Sequence, residues 1–161
     1  LLDVLKKLPE KYKLYLGGTV ENNDHKINFE QVQKKINELE LNNRVILTKK
    51  FLENMDEYIK LSDIFLFPTW NEAFGTPVLE AQACGVPVIA NLMKGSTDYW
   101  IKNNKGGFAI EKFDDEIWAE KIKLALSIPN ETLRNNSIKI SKIASAKNID
   151  AEYFKRLQEI T

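Results

Sequence analysis

Two glutamates, Glu72 and Glu80, flank the start of a predicted helix. Thr76 is predicted as its N-cap and Pro77 as its first helical residue, because proline lacks the N–H that has no partner there. The free amides around Thr76 and Val78, with the positive end of the helix dipole, favour a phosphate or diphosphate. A carboxylate beside an anion can accept hydrogen bonds from sugar or ribose hydroxyls. These residue types predict a site for a ligand that carries both groups.

The site depends on the segment 63–90, which has the pattern of a strand, loop, helix, turn and strand. The apolar run Ile64–Phe67 predicts a central parallel strand that is covered on both faces. A loop at 69–75 follows, then a helix at Val78–Cys84 and a strand at Val88–Ala90. Open α/β sheets bind ligands at the carboxyl ends of their strands, which is where this loop and helix start would lie.

Short apolar runs alternate with amphipathic segments along the rest of the chain. Further strands are predicted at 12–16, 45–47 and 108–110, and helices at 1–7, 29–39, 55–61, 114–126, 135–146 and 151–160. A polar loop is predicted at 19–29, with the one histidine, His25, exposed to solvent. Trp100 and Trp118 are predicted to pack in the core. The alternation predicts an α/β fold with a Rossmann-like, doubly wound parallel sheet and right-handed connections.

The composition excludes several classes of function. The 161 residues carry a formal net charge of +0 with a pI near 6.8, so we expect no nucleic-acid partner. Charged residues make up 29% and hydrophobic residues 43%, which is typical of a folded domain. No apolar run approaches the roughly 20 residues that span a bilayer. The single cysteine, Cys84, excludes an internal disulfide and favours a reducing compartment, so we expect a cytoplasmic protein.

A longer motif surrounds the two glutamates. Residues 72–81 are E-A-F-G-T-P-V-L-E-A, and residues 83–90 are A-C-G-V-P-V-I-A. This pattern resembles the E-x7-E motif of retaining glycosyltransferases of family 4, and a looser resemblance covers 13–126. The resemblance implies the GT-B architecture of two Rossmann-like domains. Residues 1–161 would form the single donor-binding domain, with a helical tail from about 128. The chain begins at Leu1 rather than methionine, so we interpret it as part of a longer protein whose N-terminal acceptor domain is absent.

The resemblance also implies roles for individual residues. Glu72 would contact the transferred sugar as the catalytic residue, and Glu80 would bind the ribose hydroxyls. The sugar and diphosphate would lie against Ala73, Phe74, Gly75, Thr76, Pro77 and Val78. The base would lie near Lys49, Lys50 and Phe51. The family's chemistry implies no metal and no cofactor, because the helix dipole and basic side chains would stabilise the leaving diphosphate.

The same resemblance implies the activity of the full-length protein. We expect it to transfer a sugar from a UDP-, GDP- or ADP-sugar to a glycan, lipid or small molecule, with retention at the anomeric carbon. Peripheral association with the inner face of the membrane is a further expectation. The isolated chain would be inactive. Ala73 stands where glycine is usual and Thr76 where an apolar residue is usual, so the donor sugar stays open.

Three alternatives remain open from the sequence. The chain could be a non-catalytic nucleotide-sugar-binding or regulatory module of the same fold. Other GT-B enzymes, such as phosphorylases or sugar-nucleotide epimerases, lack this spacing of glutamates. An interaction domain without a ligand would show no thermal shift with any nucleoside diphosphate.

Overall fold

The computed structural model describes residues 1–101 and 105–143. The chain divides into two compact units. The first comprises Leu1–Met55 and Asp114–Glu120, and the second comprises Asp56–Phe113 and the residues from Lys121 onward. The helix predicted at 151–160 and the end of the helix predicted at 135–146 lie outside the described residues. The assignment of 1–161 to a single domain stays a prediction.

The first unit contains a parallel pair of strands packed against helices. Its elements are α1 (Leu2–Lys6), β1 (Leu14–Gly17), α2 (Asn23–Glu38) and β2 (Val45–Thr48). Leu14 pairs with Val45 and Gly17 with Thr48, in parallel register. The buried core of this unit comprises Leu2, Leu5, Ile36 and Leu41. Both strands lie within one or two residues of their predicted positions.

The helix α2 corrects the predicted polar loop at 19–29. The helix begins at Asn23, because the Asn22 side chain accepts a hydrogen bond of 2.8 Å from the His25 N–H and caps the first turn. The first two turns are polar and largely exposed, so they lack the apolar spacing that would mark a helix. His25 is exposed, as predicted.

Arg44 stabilises the turn that follows α1. Its guanidinium donates hydrogen bonds of 2.9 to 3.1 Å to the carbonyls of Leu5, Leu8, Pro9 and Tyr12. Carbonyls at a helix end lack partners within the helix, and the forked guanidinium satisfies several at once. This contact attaches the end of α1 to the start of β2.

The second unit contains a three-stranded parallel sheet with the order β3-β4-β5. Its complete elements are β3 (Phe65–Phe67), α4 (Thr76–Ala83), β4 (Val88–Asn91), α5 (Thr97–Trp100), β5 (Gly107–Ile110) and α7 (Asn130–Ile143). It also contains α3 (Met55–Lys60) except for Met55, and α6 (Asp115–Ala125) from Lys121 onward; the earlier residues of α6 belong to the first unit. Phe65 pairs with Val88, and Val88 pairs with Gly107. The predicted α/β class with parallel, Rossmann-like strands is confirmed, and the strands of the described residues form two sheets rather than one.

The central strand of the second unit is β4, and the prediction that the strand ending at Phe67 is central was wrong. All four residues of β4 are fully buried, whereas those of β3 are half-buried. Within the described residues, β4 is paired on both edges and β3 on one. The large aromatic side chains of β3 make it more hydrophobic in sequence than β4, which favoured β3 as the central strand. Burial instead follows from the position in the sheet.

Gly107 allows β5 to approach β4 closely. Its φ is +140°, and a Cβ at this position would lie 1.8 Å from the Val88 carbonyl oxygen. Only glycine fits such an approach. Gly85 follows α4 with a φ of +78°, as predicted for a residue that ends a helix. Among the described residues, no helix is long and apolar enough to cross a membrane.

Candidate functional site

The start of α4 carries no side-chain cap. The helix begins at Thr76, one residue earlier than predicted, and Gly75 occupies the N-cap with a φ of +82°. Thr76 is therefore the first helical residue and Pro77 the second. An ideal Cβ on Gly75 would lie 3.1 Å from Ser96 Oγ and 3.5 Å from Trp100 Cδ1, so glycine suits this position in both space and backbone angle. The first turn itself contains no acidic residue, and the acid at the positive end of the helix is Glu72 from the preceding loop.

Glu72 holds the loop in front of α4. Its Oε1 accepts hydrogen bonds from the backbone N–H of Gly75 at 3.0 Å and of Phe74 at 3.1 Å. These bonds lower the pKa of Glu72 from its usual value, the Gly75 N–H having the largest effect. Among the described residues only Oε1 is used, so Oε2 is the oxygen available to a ligand.

The amides at the start of α4 are only partly free. The Val78 N–H donates to the Gly75 carbonyl at 2.9 Å, and the Leu79 N–H reaches the same oxygen at 3.2 Å. The prediction that the Val78 amide is free was therefore wrong, because the first turn closes tightly on Gly75. Within the described part of the chain, the Thr76 N–H has no hydrogen-bond acceptor. The N–H groups of Phe74 and Gly75 contact Glu72 instead.

The remaining predicted site residues lie on α4 and in the loop after β2. Glu80 is exposed on α4, one turn after Thr76. Lys49, Lys50 and Phe51 are exposed and follow β2 in the first unit. The Lys49 ammonium lies 4.3 Å from the centroid of the Phe29 ring, and the Phe51 side chain is 76% exposed. Their place beside a nucleotide base stays a prediction.

Asn91 and Trp100, which are both buried, hold the two ends of the loop between β3 and α4. The sequence did not predict these contacts. The Asn91 side-chain amide donates to the carbonyls of Pro68 at 2.9 Å and Thr69 at 3.0 Å. The Trp100 indole N–H donates to the Phe74 carbonyl at 2.6 Å. An amide side chain at the end of an otherwise apolar strand was the available signal for Asn91. Trp100 is buried in the core, as predicted.

The described residues contain no group of three or more His, Cys, Asp or Glu side chains that could hold a metal ion. Metal-independent chemistry stays a prediction, because a diphosphate ligand could itself bring a metal. The chemistry that the site offers consists of a carboxylate oxygen, an uncapped helix start and an exposed acid on α4.

The parallel α/β fold and the loop before α4 can be compared with known proteins. Residues 1–143 match the family described as "Glycosyl transferases group 1". The chain therefore belongs to this glycosyltransferase family.

Curated relatives share part of the sequence. The capsular polysaccharide biosynthesis glycosyltransferase CapM of Staphylococcus aureus is 38% identical over 93 residues, which cover 58% of this chain and 23% of the relative. A D-inositol 3-phosphate glycosyltransferase of Corynebacterium jeikeium is 38% identical over 68 residues, which cover 42% of this chain and 16% of the relative. The matched region thus spans less than a quarter of either relative.

Solved structures share the fold. Anabaena Alr3699/HepE in complex with UDP has a TM-score of 0.86 at 21% identity, and the match covers 99% of this chain and 44% of that one. A glycosyltransferase of Rickettsia africae has a TM-score of 0.76 at 24% identity, with 99% and 43% covered. At these identities the likeness shows the fold, which is the half of a GT-B glycosyltransferase that lies at its C-terminus.

Proposed function

We propose that this chain binds the donor in a retaining glycosyltransferase that transfers a sugar from a nucleoside diphosphate sugar to a glycan, lipid or small molecule. The observation that carries the proposal is the uncapped start of α4 beside Glu72, whose Oε2 is free for a ligand. Anabaena HepE was solved with UDP and with UDP-glucose, which supports a uridine donor as the first to test. GDP- and ADP-sugars are the other candidates.

The diphosphate would lie at the start of α4. The Thr76 N–H has no acceptor among the described residues, and Gly75 contributes no side chain that could block an approaching oxygen. The helix dipole places partial positive charge at this point. Glu72 offsets part of it through the Gly75 N–H, and the first turn adds no further acid. Negative charge grows on the diphosphate as it leaves, so fixed positive potential there lowers the barrier to transfer.

Glu72 would face the sugar, and Glu80 the ribose. Glu72 precedes the helix start in sequence and Glu80 follows it by one turn, so the proposal assigns them to the two ends of the donor. Glycosyl transfer passes through a state with positive charge at the anomeric carbon, which a carboxylate stabilises. The Gly75 and Phe74 N–H groups favour the charged form of Glu72 and lower its pKa, so the carboxylate is the form available to the sugar. The donor reaction would need no metal.

The decisive experiment compares Glu72→Gln with Glu72→Ala in the full-length protein. Glutamine keeps an oxygen that can accept both loop hydrogen bonds and removes only the charge, whereas alanine removes both. We expect Glu72→Gln to lower kcat by about 100-fold or more with little change in donor affinity, as for the loss of an interaction made in the transition state. Steady-state kinetics and the anomeric configuration of the product by NMR measure this.

Glu80→Gln is the matched control, since it makes the same chemical change on the other side of the helix start. We expect it to raise the KM for the donor more than it lowers kcat. Wild-type turnover in Glu72→Gln, or an inverted anomeric centre, would contradict the proposed mechanism. Without the acceptor half, the isolated chain should not transfer sugar, because transfer needs both substrates held together.

One observation favours a second candidate, a non-catalytic nucleotide-sugar-binding module. Glu72 already has a structural role, because its Oε1 fixes the loop through Phe74 and Gly75. If Glu72 were purely structural, the protein could bind the nucleotide sugar without transferring the sugar. Donor binding without transfer in the full-length wild type, with natural acceptors supplied, would favour this candidate.

A further inference from the structure

Trp100 contacts the Glu72 loop with both its polar and its apolar atoms. The indole N–H donates to the Phe74 carbonyl at 2.6 Å, and the Phe74 ring meets the indole edge-on with centroids 5.1 Å apart. The indole also lies against Gly75, where an added Cβ would be 3.5 Å from Cδ1. Phe74 and Gly75 are the residues whose N–H groups bind Glu72. The Phe74 carbonyl and the Gly75 N–H belong to the same peptide group. Trp100 thus binds the oxygen of the peptide whose N–H donates to Glu72.

Trp100 is buried, and its backbone is attached to neighbouring helices. Trp100 is 6% exposed and belongs to the buried core. Its carbonyl accepts a hydrogen bond of 3.0 Å from the Gln82 side chain on α4, and Gln82 in turn accepts one of 2.9 Å from Asn136 on α7. Gln82 is 2% exposed, so these bonds form where water does not compete. The backbone of Trp100 is therefore attached to α4 and, through Gln82, to α7, while its ring is buried in the core.

We propose that Trp100 is a positioning residue for the donor site: through its hydrogen bond to the Phe74 carbonyl it fixes the loop that presents Glu72 and the start of α4 to a nucleoside diphosphate sugar. This rests on the proposed function for the identity of the ligand. The rigid loop itself does not depend on it. An exposed loop of this kind gains catalytic precision from being held before the ligand arrives, because no ordering is then needed in the reaction.

Two variants separate the hydrogen bond from the packing. Trp100→Phe removes the N–H and part of the ring, whereas 3-benzothienylalanine at position 100 replaces the N–H by sulfur and keeps the shape. Trp118→Phe is the matched control, since it makes the same change at a fully buried tryptophan of the first unit. Thermal unfolding of all three shows that each is folded at the temperature of the test.

The first readout needs no ligand. Backbone ¹⁵N relaxation of the 161-residue chain should give order parameters near 0.85 for Phe74 and Gly75 in the wild type and in Trp118→Phe, but below about 0.6 in both Trp100 variants. Residues of β4 should stay rigid throughout. Order parameters that are equally high in the benzothienyl variant would overturn the proposal.

The second readout is kinetic and uses the full-length protein. Loss of one hydrogen bond that orients the loop should lower kcat about tenfold in both Trp100 variants, with a smaller change in the donor KM. Trp118→Phe should match the wild type. A mobile loop with unchanged kcat would also overturn the proposal. A wild type that binds no nucleoside diphosphate or its sugar would contradict the proposed function instead, and the relaxation data would still decide whether Trp100 fixes the loop.

Discussion

At the scale of single residues, Glu72 combines two tasks on its two oxygens. Oε1 accepts the N–H groups of Phe74 and Gly75, which shapes the loop, and Oε2 is the oxygen that we propose binds a sugar. The proposed catalytic role and the observed structural role are distinct. The geometry makes them compatible, because a carboxylate can accept hydrogen bonds on both oxygens. An alanine substitution would therefore report on the loop as much as on catalysis.

The loop conformation should depend on the ionisation of Glu72. Its pKa in the folded chain is lowered from 4.5 by the two N–H bonds. These bonds stabilise the folded loop above the unfolded pKa, and the stabilisation is lost as the pH falls through the lowered folded value. A ¹³C NMR titration of the Glu72 carboxyl should therefore give a midpoint below 4.5, and the Phe74 and Gly75 amide signals should shift with it. Glu72→Gln should remove that pH dependence, and a midpoint at or above 4.5 would contradict the assignment.

At the scale of elements, sequence patterns predicted the strands of both units closely and the helix starts less well. The start of α4 was displaced by one residue, because Gly75 rather than Thr76 adopts the non-helical N-cap conformation. Local sequence does not reveal that choice, because it also reflects Ser96 and Trp100, which leave little room for a side chain at position 75. The early start of α2 was missed because its cap, Asn22, precedes a polar stretch without apolar spacing.

The contacts that hold the site were beyond local patterns for a similar reason. Asn91 and Trp100 lie more than 20 residues after the loop carbonyls that they bind. Glu72 and the helix start were recognisable because they are close in sequence. A hydrogen bond between distant segments depends on the packing of the sheet, which one sequence does not specify residue by residue.

The approach of β5 to β4 provides a prediction at this scale. Gly107→Ala should destabilise the second unit by about 3 kcal/mol, because it combines a positive φ with a Cβ placed 1.8 Å from the Val88 carbonyl oxygen. Gly95→Ala is the matched control, since Gly95 also has a positive φ, of +80°, but nothing lies within 4 Å of its Cβ position. It should cost about 1 kcal/mol. Chemical denaturation measures both, and equal losses would show that the steric clash is absent.

At the scale of the whole molecule, the chain belongs to the group 1 glycosyltransferase family and has the fold of one half of a GT-B enzyme. It spans less than a quarter of the two curated relatives compared and less than half of the two solved structures compared. The acceptor, the donor sugar and the membrane association of the full-length protein therefore stay proposals. Experiments on this chain alone can test the proposed binding of the donor.

The most direct test of the central claim, that a nucleoside diphosphate binds at the start of α4, is an NMR titration of the ¹⁵N-labelled 161-residue chain with UDP. Chemical-shift mapping detects weak binding, and parallel titrations with GDP and ADP report the base preference. We predict saturable shifts of the Gly75 and Thr76 amides and of Glu80, reduced in Glu80→Gln. Shifts confined to other surfaces, or none for any of the three nucleotides at millimolar concentration, would contradict the account.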